Sequence, residues 1–544
     1  MKRSVDYNLK GVYECSLAET VELGYTIRMP RRSRFTMLPP AGLLAFFLWG
    51  LLFAISYTQS PLYTSNQNQY FLQGLADAGY GELAEDWLAN THDPTPVFSG
   101  LVEYAYRVFP QEWVFYGLYA LLMGVYFYSL WGIASQIYPQ LEQPAAAFLF
   151  IALLIGAHSA AIRFFLARIL GDNWTFVLED GVADQRLLGL VLQPSAFGVF
   201  LVLGVYLFLR RKPVLAASST AIAALFHPTY LLSAAVLTAT FILVTLFEEK
   251  DWKKPLLAGG IALLLVMPSL LSTYQVFVGS AAEITEQARQ VLVEYRIPHH
   301  ALVSWWFDIT AVLKIGIVVA AILLVRRRSG RLFWVLLISF CSAVLLTLLQ
   351  LASGSSALAL LFPWRLSTYL VPLSLAVILA ALVAGLANNR QLESGNWRKG
   401  VYIGSTMLVV ACVLVGVARF SIDLQRRARD PERPIEGYVA VTLEPGENYL
   451  TPIKMQDFRL ESGAPVFIEF KAIPYRAEEV LEWYRRVRLA DRFYKSGDCR
   501  VLDEIEQAAP VTHVVEETSE QEIDCPGLDL VYSDASYRLF RITP

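Results

Sequence analysis

The stretch Ser65–Ser99 reads SNQNQYFLQGLADAGYGELAEDWLANTHDPTPVFS. It lies between the first long apolar segment and the second. It is too polar to span a bilayer and too patterned for a slack loop. Phe71, Leu72, Leu75 and Ala78 recur at helical spacing, and Gly79 and Gly81 stop that helix. Leu83, Trp87 and Leu88 give a second, shorter apolar face. Such helices are expected to lie in the membrane interface, with Trp87 at headgroup level. Asn90-Thr91-His92-Asp93-Pro94-Thr95-Pro96 follows, stiffened by two prolines, and Pro94 pushes Asp93 out of the helical region. A stiff turn carrying His92 and Asp93 suits a site for a polar substrate. Asp93 equally suits an N-cap for a helix starting at Pro94, and the two roles are compatible.

Composition sets the class. Of 544 residues, 55% are hydrophobic, 13% aromatic and 17% charged, with a mean hydropathy of +0.44. That is a polytopic α-helical membrane protein and excludes a soluble enzyme. About eleven spans are expected within residues 38–418, with a large outer loop at 58–112. The weakest pair, 213–226 and 230–247, is joined only by His227-Pro228-Thr229.

Positive charge orients the chain. With Met1 cytoplasmic, the inner side receives the N-terminal arm, residues 1–37, with its seven Lys and Arg. It also receives Arg210-Arg211-Lys212, Lys250, Lys253, Lys254, Arg326-Arg327-Arg328, Arg331, Arg390, Arg398 and Lys399. The outer loops hold fewer: Arg107, Arg163, Arg168, Arg186, Arg289, Arg296 and Arg365. The positive-inside rule therefore places the arm in the cytoplasm and residues 419–544 outside. The arm has no apolar core ahead of Arg34, so the first span is the expected targeting signal. The location this implies is the plasma (inner) membrane.

Residues 419–544 are expected to form a soluble α/β domain. Pro465–Phe470, Thr512–Val515, Leu528–Tyr532 and Tyr537–Ile542 read as strands, and Glu478–Ala490 as an amphipathic helix. Cys499 and Cys525 both fall there, and export to an oxidising compartment would allow them to pair; spacing alone leaves pairing open. Cys15 is in the arm, and Cys341 and Cys412 are in spans. No CxxC, HExxH or Gly-rich phosphate loop occurs.

The rare polar groups gather on one side. In this topology none of the six histidines faces the cytoplasm. Gln193-Pro194-Ser195, His227-Pro228-Thr229-Tyr230, Arg296-Ile297-Pro298-His299-His300 and Phe362-Pro363-Trp364-Arg365 each mark an outer boundary of a span. Any one block reads as an ordinary helix end; four on one face are expected to share a cavity. Asp172, Glu179, Asp180 and Asp184 follow Arg163 and Arg168 in a short loop, expected to be solvated rather than metal-binding.

These features resemble the GT-C superfamily, membrane glycosyltransferases that use polyprenyl-phosphate-linked sugars. The resemblance rests on the long first outer loop, the many spans and the C-terminal domain. In many members that loop opens with Asp-Glu, a Tyr about four residues on, and a His-Pro-Pro turn. Here Asn66-Gln67 stands where Asp-Glu would, Tyr70 is in register, and Thr91–Pro96 resembles the turn. The family's Asp is the candidate base, and Asn66 and Gln67 are amides that take no proton at neutral pH. The resemblance implies a sugar transferred from a lipid-phosphate donor to a glycan, lipid or protein acceptor. It implies Asp93 or Asp86 as base and Arg365, Arg296, His299 and His300 around the departing phosphate, with Arg163 a further candidate. His92, His227, Asn66 and Gln67 complete the expected substrate-binding set. The expected partners are membrane lipid and the lipid-linked sugar, without nucleic acid; metal dependence stays open. Two other classes remain at this point: a non-catalytic subunit of a cell-envelope glycan assembly system, which Asn66-Gln67 favours, and a transporter or flippase of a lipid-linked solute, which would place ionisable residues in mid-span.

Overall fold

The computed structural model describes residues 40–109, 111–250, 252–277, 279–388, 395–520 and 523–543. The N-terminal arm, Cys15 and Arg390 lie outside these residues. The chain divides into two units, Met1–Leu44 and Ala45–Pro544. Of the first unit, the described part is the start of the helix Pro40–Tyr57. The second unit carries the rest of the fold.

Among the described residues, six helices are long and apolar enough to cross a membrane: Trp113–Ile137, Pro228–Glu249, Lys253–Val276, Gly330–Ser353, Ser356–Asn388 and Gly395–Ala428. Pro144–Ala157 and Ala160–Leu170 pass only as a pair, bent by 51°. Leu44–Tyr57, Pro194–Leu209, Pro213–Phe226 and Ile309–Val325 are apolar but short. Length and apolarity thus give six spans among the described residues, or seven with the bent pair, with four shorter apolar helices beside them. Local chemistry sets the helix starts. Pro96, Pro144 and Pro213 occupy first-turn positions. Ser159, Asp308 and Ser329 cap the helices that follow them by accepting from backbone N–H groups. Gly416 lets Gly395–Ala428 press on the first helix: an added Cβ would lie 1.9 Å from the Ile55 carbonyl oxygen, and Thr58 Oγ1 donates to the Gly416 carbonyl at 3.0 Å.

Four strands, β1 (Tyr449–Leu450), β2 (His513–Glu517), β3 (Leu528–Ser533) and β4 (Tyr537–Ile542), form one sheet in the order β1-β2-β4-β3. β1 runs parallel to β2; the other pairs are antiparallel. The helix Ala477–Ser496 covers the expected Glu478–Ala490, and Trp483, Val487 and Phe493 pack with Phe467, Ile468 and Val514. The expected strand Pro465–Phe470 is reduced to one bridge, Val466 to Tyr449. Beyond it Phe467 and Ile468 are buried in the core and Glu469 turns towards Arg459. The expected domain boundary at Arg419 falls inside the helix Gly395–Ala428.

The apolar faces of the first loop are covered by protein. Its helices Gln67–Tyr70 and Leu72–Asp77 bury Phe71, Leu72 and Leu75 completely within the protein. Trp87 lies under the Arg486 guanidinium, 4.3 Å from its ring centre. Gly81, at φ +54°, abuts Gly463, where a Cβ would come within 2.3 Å of the carbonyl oxygen, and Glu82 N donates to that oxygen at 2.9 Å. The loop is therefore clamped under the C-terminal region.

Cys499 and Cys525, with Cα atoms 5.4 Å apart, are bonded across 26 residues. Closing such a loop stabilises by about 3 kcal/mol on the chain-entropy view. Unfolding of Cys499→Ala/Cys525→Ala by denaturant should show that loss; an unchanged midpoint would mean the bond adds nothing.

Candidate functional site

Of the first loop's two amides at the expected acidic positions, Gln67 is structural. Its Nε2 donates to the Leu192 carbonyl at 3.0 Å and its Oε1 accepts from Tyr63 N at 2.9 Å. Asn66 is half-buried and donates to Gln193 Oε1 at 2.8 Å. Tyr70 sets its ring edge-on to His227 at 5.9 Å.

Around His227 and Tyr70 several distant segments converge. Arg365 Nη2 donates to His227 Nε2 at 2.7 Å, and its other arm reaches Gln185. The Arg365 guanidinium sits 5.0 Å from the Tyr230 ring centre. His300 Nδ1 lies 2.7 Å from the Ala183 carbonyl, and the His299 and His300 rings are 4.0 Å apart. Arg296 Nη2 donates to the Lys471 carbonyl at 2.5 Å and its guanidinium faces Phe470. Arg296 and Lys471 act electrostatically on His299, Arg365 and Arg186 on His300, and Arg296 and Arg186 on Lys471, so these cations lie near one another as a cluster. The carbonyl and the guanidinium fix two tautomers: His300 carries its proton on Nδ1, and His227 carries its proton on Nδ1 because Nε2 accepts. Burial lowers His300 to about 3 and lowers His299, so both rings are neutral at pH 7.

The cluster is rich in unspent donors. Arg296 Nε, Arg365 Nε and His227 Nδ1 are buried without a hydrogen-bond partner among the described residues. A buried donor left unpaired costs about 1–3 kcal/mol, which an acceptor brought to these groups would offset. An oxyanion with several lone pairs satisfies them; arginine forks suit phosphate in particular.

The loop Gly171–Gln193 frames this cluster and is solvated only in part, with Asp172 and Asp184 exposed. Glu179 and Asp180 are buried. Arg163 pairs with Glu179 at 3.1 Å, Lys314 donates to the Gly181 carbonyl at 2.9 Å, and Ser367 Oγ accepts from Val182 N at 2.7 Å. Arg186 Nε donates to Asp180 Oδ2 at 2.7 Å. The turn between these anchors holds Ala183 at φ +60° and Asp184 at φ +51°. Two successive non-glycine residues in the left-handed region are costly, and such strain gathers at functional sites. Asp184 at its tip is exposed.

Four expected site residues are placed elsewhere. Asp86 is fully buried and spent: Oδ1 accepts from Leu88 N and Ala89 N, and Oδ2 from Arg459 Nε at 2.8 Å and Val466 N at 3.0 Å. A carboxylate with four donors and no exposure is a structural anchor, not a base. Arg163 is likewise consumed by Glu179, the His158 carbonyl and the Tyr57 carbonyl, so it is not a phosphate ligand. His92 bridges to Glu479 and Ser272, away from the cluster. Asp93 accepts from Thr95 N at 2.7 Å in an Asx turn, and the helix begins at Pro96 with Thr95 as its N-cap, two residues later than expected. Burial raises the Asp93 carboxyl, and none of the cluster's cations is among its electrostatic neighbours. The structure thus brings His227, His299, His300, Arg296 and Arg365 near one another, and Asp93 stands apart from that group.

Gln185, Arg186, Lys471 and Tyr475 were not legible as site residues. Lys471 had one signal: a single lysine inside the apolar run PVFIEFKAIP. Among the described residues no group of three or more His, Cys, Asp and Glu side chains is arranged to hold a metal ion.

Residues 432–490 match DUF6798, a domain of unknown function. No curated protein matches the chain. Among solved structures it is similar to ArnT from Cupriavidus metallidurans bound to undecaprenyl phosphate, at 14% identity and TM-score 0.44 over 92% of this chain and 98% of that one. It is also similar to the archaeal oligosaccharyltransferase AglB from Archaeoglobus fulgidus in complex with an inhibitory peptide and a dolichol-phosphate, at 14% identity and TM-score 0.47 over 87% and 69%. At this identity no residue of those proteins is carried onto this chain; its site rests on its own geometry.

Asp86→Asn should cost about 3–5 kcal/mol of stability, because Arg459 loses a buried partner. Thermal unfolding in detergent reads this out. A variant as stable as the parent would return Asp86 to the functional carboxylates.

Proposed function

We propose that this chain is a GT-C-like glycosyltransferase that moves a sugar from a lipid-phosphate donor to an acceptor at the extracytoplasmic face. The observation that carries this is the cluster of Arg186, Arg296, Arg365 and Lys471 with its three unpaired buried donors. It lies at the end of the helices opposite Arg210-Arg211-Lys212 and Arg331. Negative charge builds on the phosphate as the sugar leaves, and fixed donors in a water-poor site stabilise it. A lipid anchor brings the phosphate to this depth, so no nucleotide site is needed. The positive-inside pattern supports about eleven crossings, a cytoplasmic N-terminus and an exported C-terminal region in the plasma membrane, with the short apolar helices counted as spans. The acceptor is a glycan, lipid or protein.

The base is a carboxylate that still has a lone pair to offer. Asp184 qualifies: it is exposed, makes no ion pair among the described residues, and sits in the electrostatic field of Arg186. Asp93 is the rival, held in a stiff turn beside His92. General-base loss typically slows a reaction about 100- to 10,000-fold. Asp184→Asn should show that loss in transfer while Asp93→Asn stays near normal. The reverse result makes Asp93 the base, and normal transfer by both removes a carboxylate base from the mechanism. Arg365→Ala should lower transfer by about 100-fold or more, as removal of an oxyanion donor does; a normal rate would sink the phosphate reading.

Topology is tested by labelling. Arg327→Cys should react with an impermeant maleimide only from the cytoplasmic side, and Val441→Cys, at a position 87% exposed, only from outside. Labelling of both from one side would break the eleven-span arrangement.

A further inference from the structure

Lys471 enters the cation cluster from the C-terminal region, inside the segment of unknown function. Its backbone is pinned from two directions. Arg296 holds its carbonyl, and the next N–H, Ala472, donates to Glu469 Oε1 at 3.2 Å. Glu469 is itself paired with Arg459 at 3.1 Å, and Arg459 with Asp86 at 2.8 Å. These three groups are at most 2% exposed, so the relay is rigid and runs from the first loop to Lys471.

The ammonium at the end of this support makes no hydrogen bond or ion pair among the described residues. Its cationic neighbours are Arg296 and Arg186, and its one carboxylate neighbour, Glu469, is already committed to Arg459. Burial, with repulsion from Arg296 next, lowers its pKa. A half-buried lysine held rigidly among arginines and left unpaired is unfavourable unless an anion completes it.

We propose that Lys471 is a phosphate ligand, contributing its ammonium to the lipid phosphate of the donor, so that the site is complete only while the C-terminal region is docked on the first loop. This rests on the lipid-phosphate donor already proposed. In transfer, the acceptor oxygen bonds to the sugar's anomeric carbon and the acceptor proton goes to the base. The bond from that carbon to the phosphate oxygen breaks, with its electron pair kept by the phosphate. A phosphodiester monoanion becomes a monoester dianion, so Lys471 gains most as the bond breaks. Its removal should therefore lower kcat more than it raises KM.

The test uses the full-length protein in detergent and a short-chain polyprenyl monophosphate as probe. Lys471→Met should weaken binding by about tenfold or more, the worth of one charge-assisted hydrogen bond, while Lys471→Arg stays close to the parent. The unfolding temperature of Lys471→Met should be unchanged, since the side chain holds nothing in place. A parent that binds the probe with Lys471→Met equal to it overturns the role of Lys471 alone. A parent that does not bind the probe overturns the donor reading together with it. Inorganic phosphate or phosphatidylglycerol micelles competing as well as the probe would overturn the polyprenyl assignment.

Discussion

The guanidinium of Arg459, wholly buried between Asp86 and Glu469, is the contact on which the rest depends. It is the point where the first loop and the C-terminal region become one body. Burial pushes Glu469 up to about 7, while Arg459 pulls the other way. Two carboxylates sharing one guanidinium do not make a cheap arrangement. Replacing such groups with apolar ones often costs little, whereas removing one partner costs much. What the triad supplies is direction. It fixes where residues 469–475 lie, and with them Lys471 and Tyr475, whose hydroxyl accepts from Gln69 Nε2 at 3.0 Å.

A second support works from the other side. The loop Gly171–Gln193 is held by Arg163, Lys314 and Ser367, all from helices or helix ends. It hands its backbone and side chains to the cations: the Ala183 carbonyl to His300, Gln185 to Arg365, Asp180 to Arg186. The strained turn at Ala183 and Asp184 is tolerated because both flanks are anchored. The proposed anion site is thus made of residues whose neighbours are ion-paired or hydrogen-bonded. Donors that are already oriented need no reorganisation when charge develops.

This division explains why some carboxylates and cations stand apart from the chemistry. Asp86, Glu179, Arg163 and Arg459 are spent on one another and on backbone groups. Arg296, Arg365 and Lys471 keep unspent donors. The proposed function falls on the groups that burial has left incomplete.

Much of this was legible in the sequence. Hydropathy alone gives a polytopic helical protein. The proline-bearing blocks give helix ends, and the histidines and arginines of the 227, 296–300 and 365 blocks do meet. Local chemistry decides such features, since proline ends helices and capping residues start them wherever they sit. Tertiary structure alone decided which ionisable groups are spent. Asp86 reads as the exposed side of a helix until Arg459, 373 residues later, covers it. Lys471 reads as one lysine in an apolar run until the triad turns that run away from the sheet. Whether a charge is an anchor or a ligand depends on who fills its lone pairs or donors, and those partners come from far along the chain.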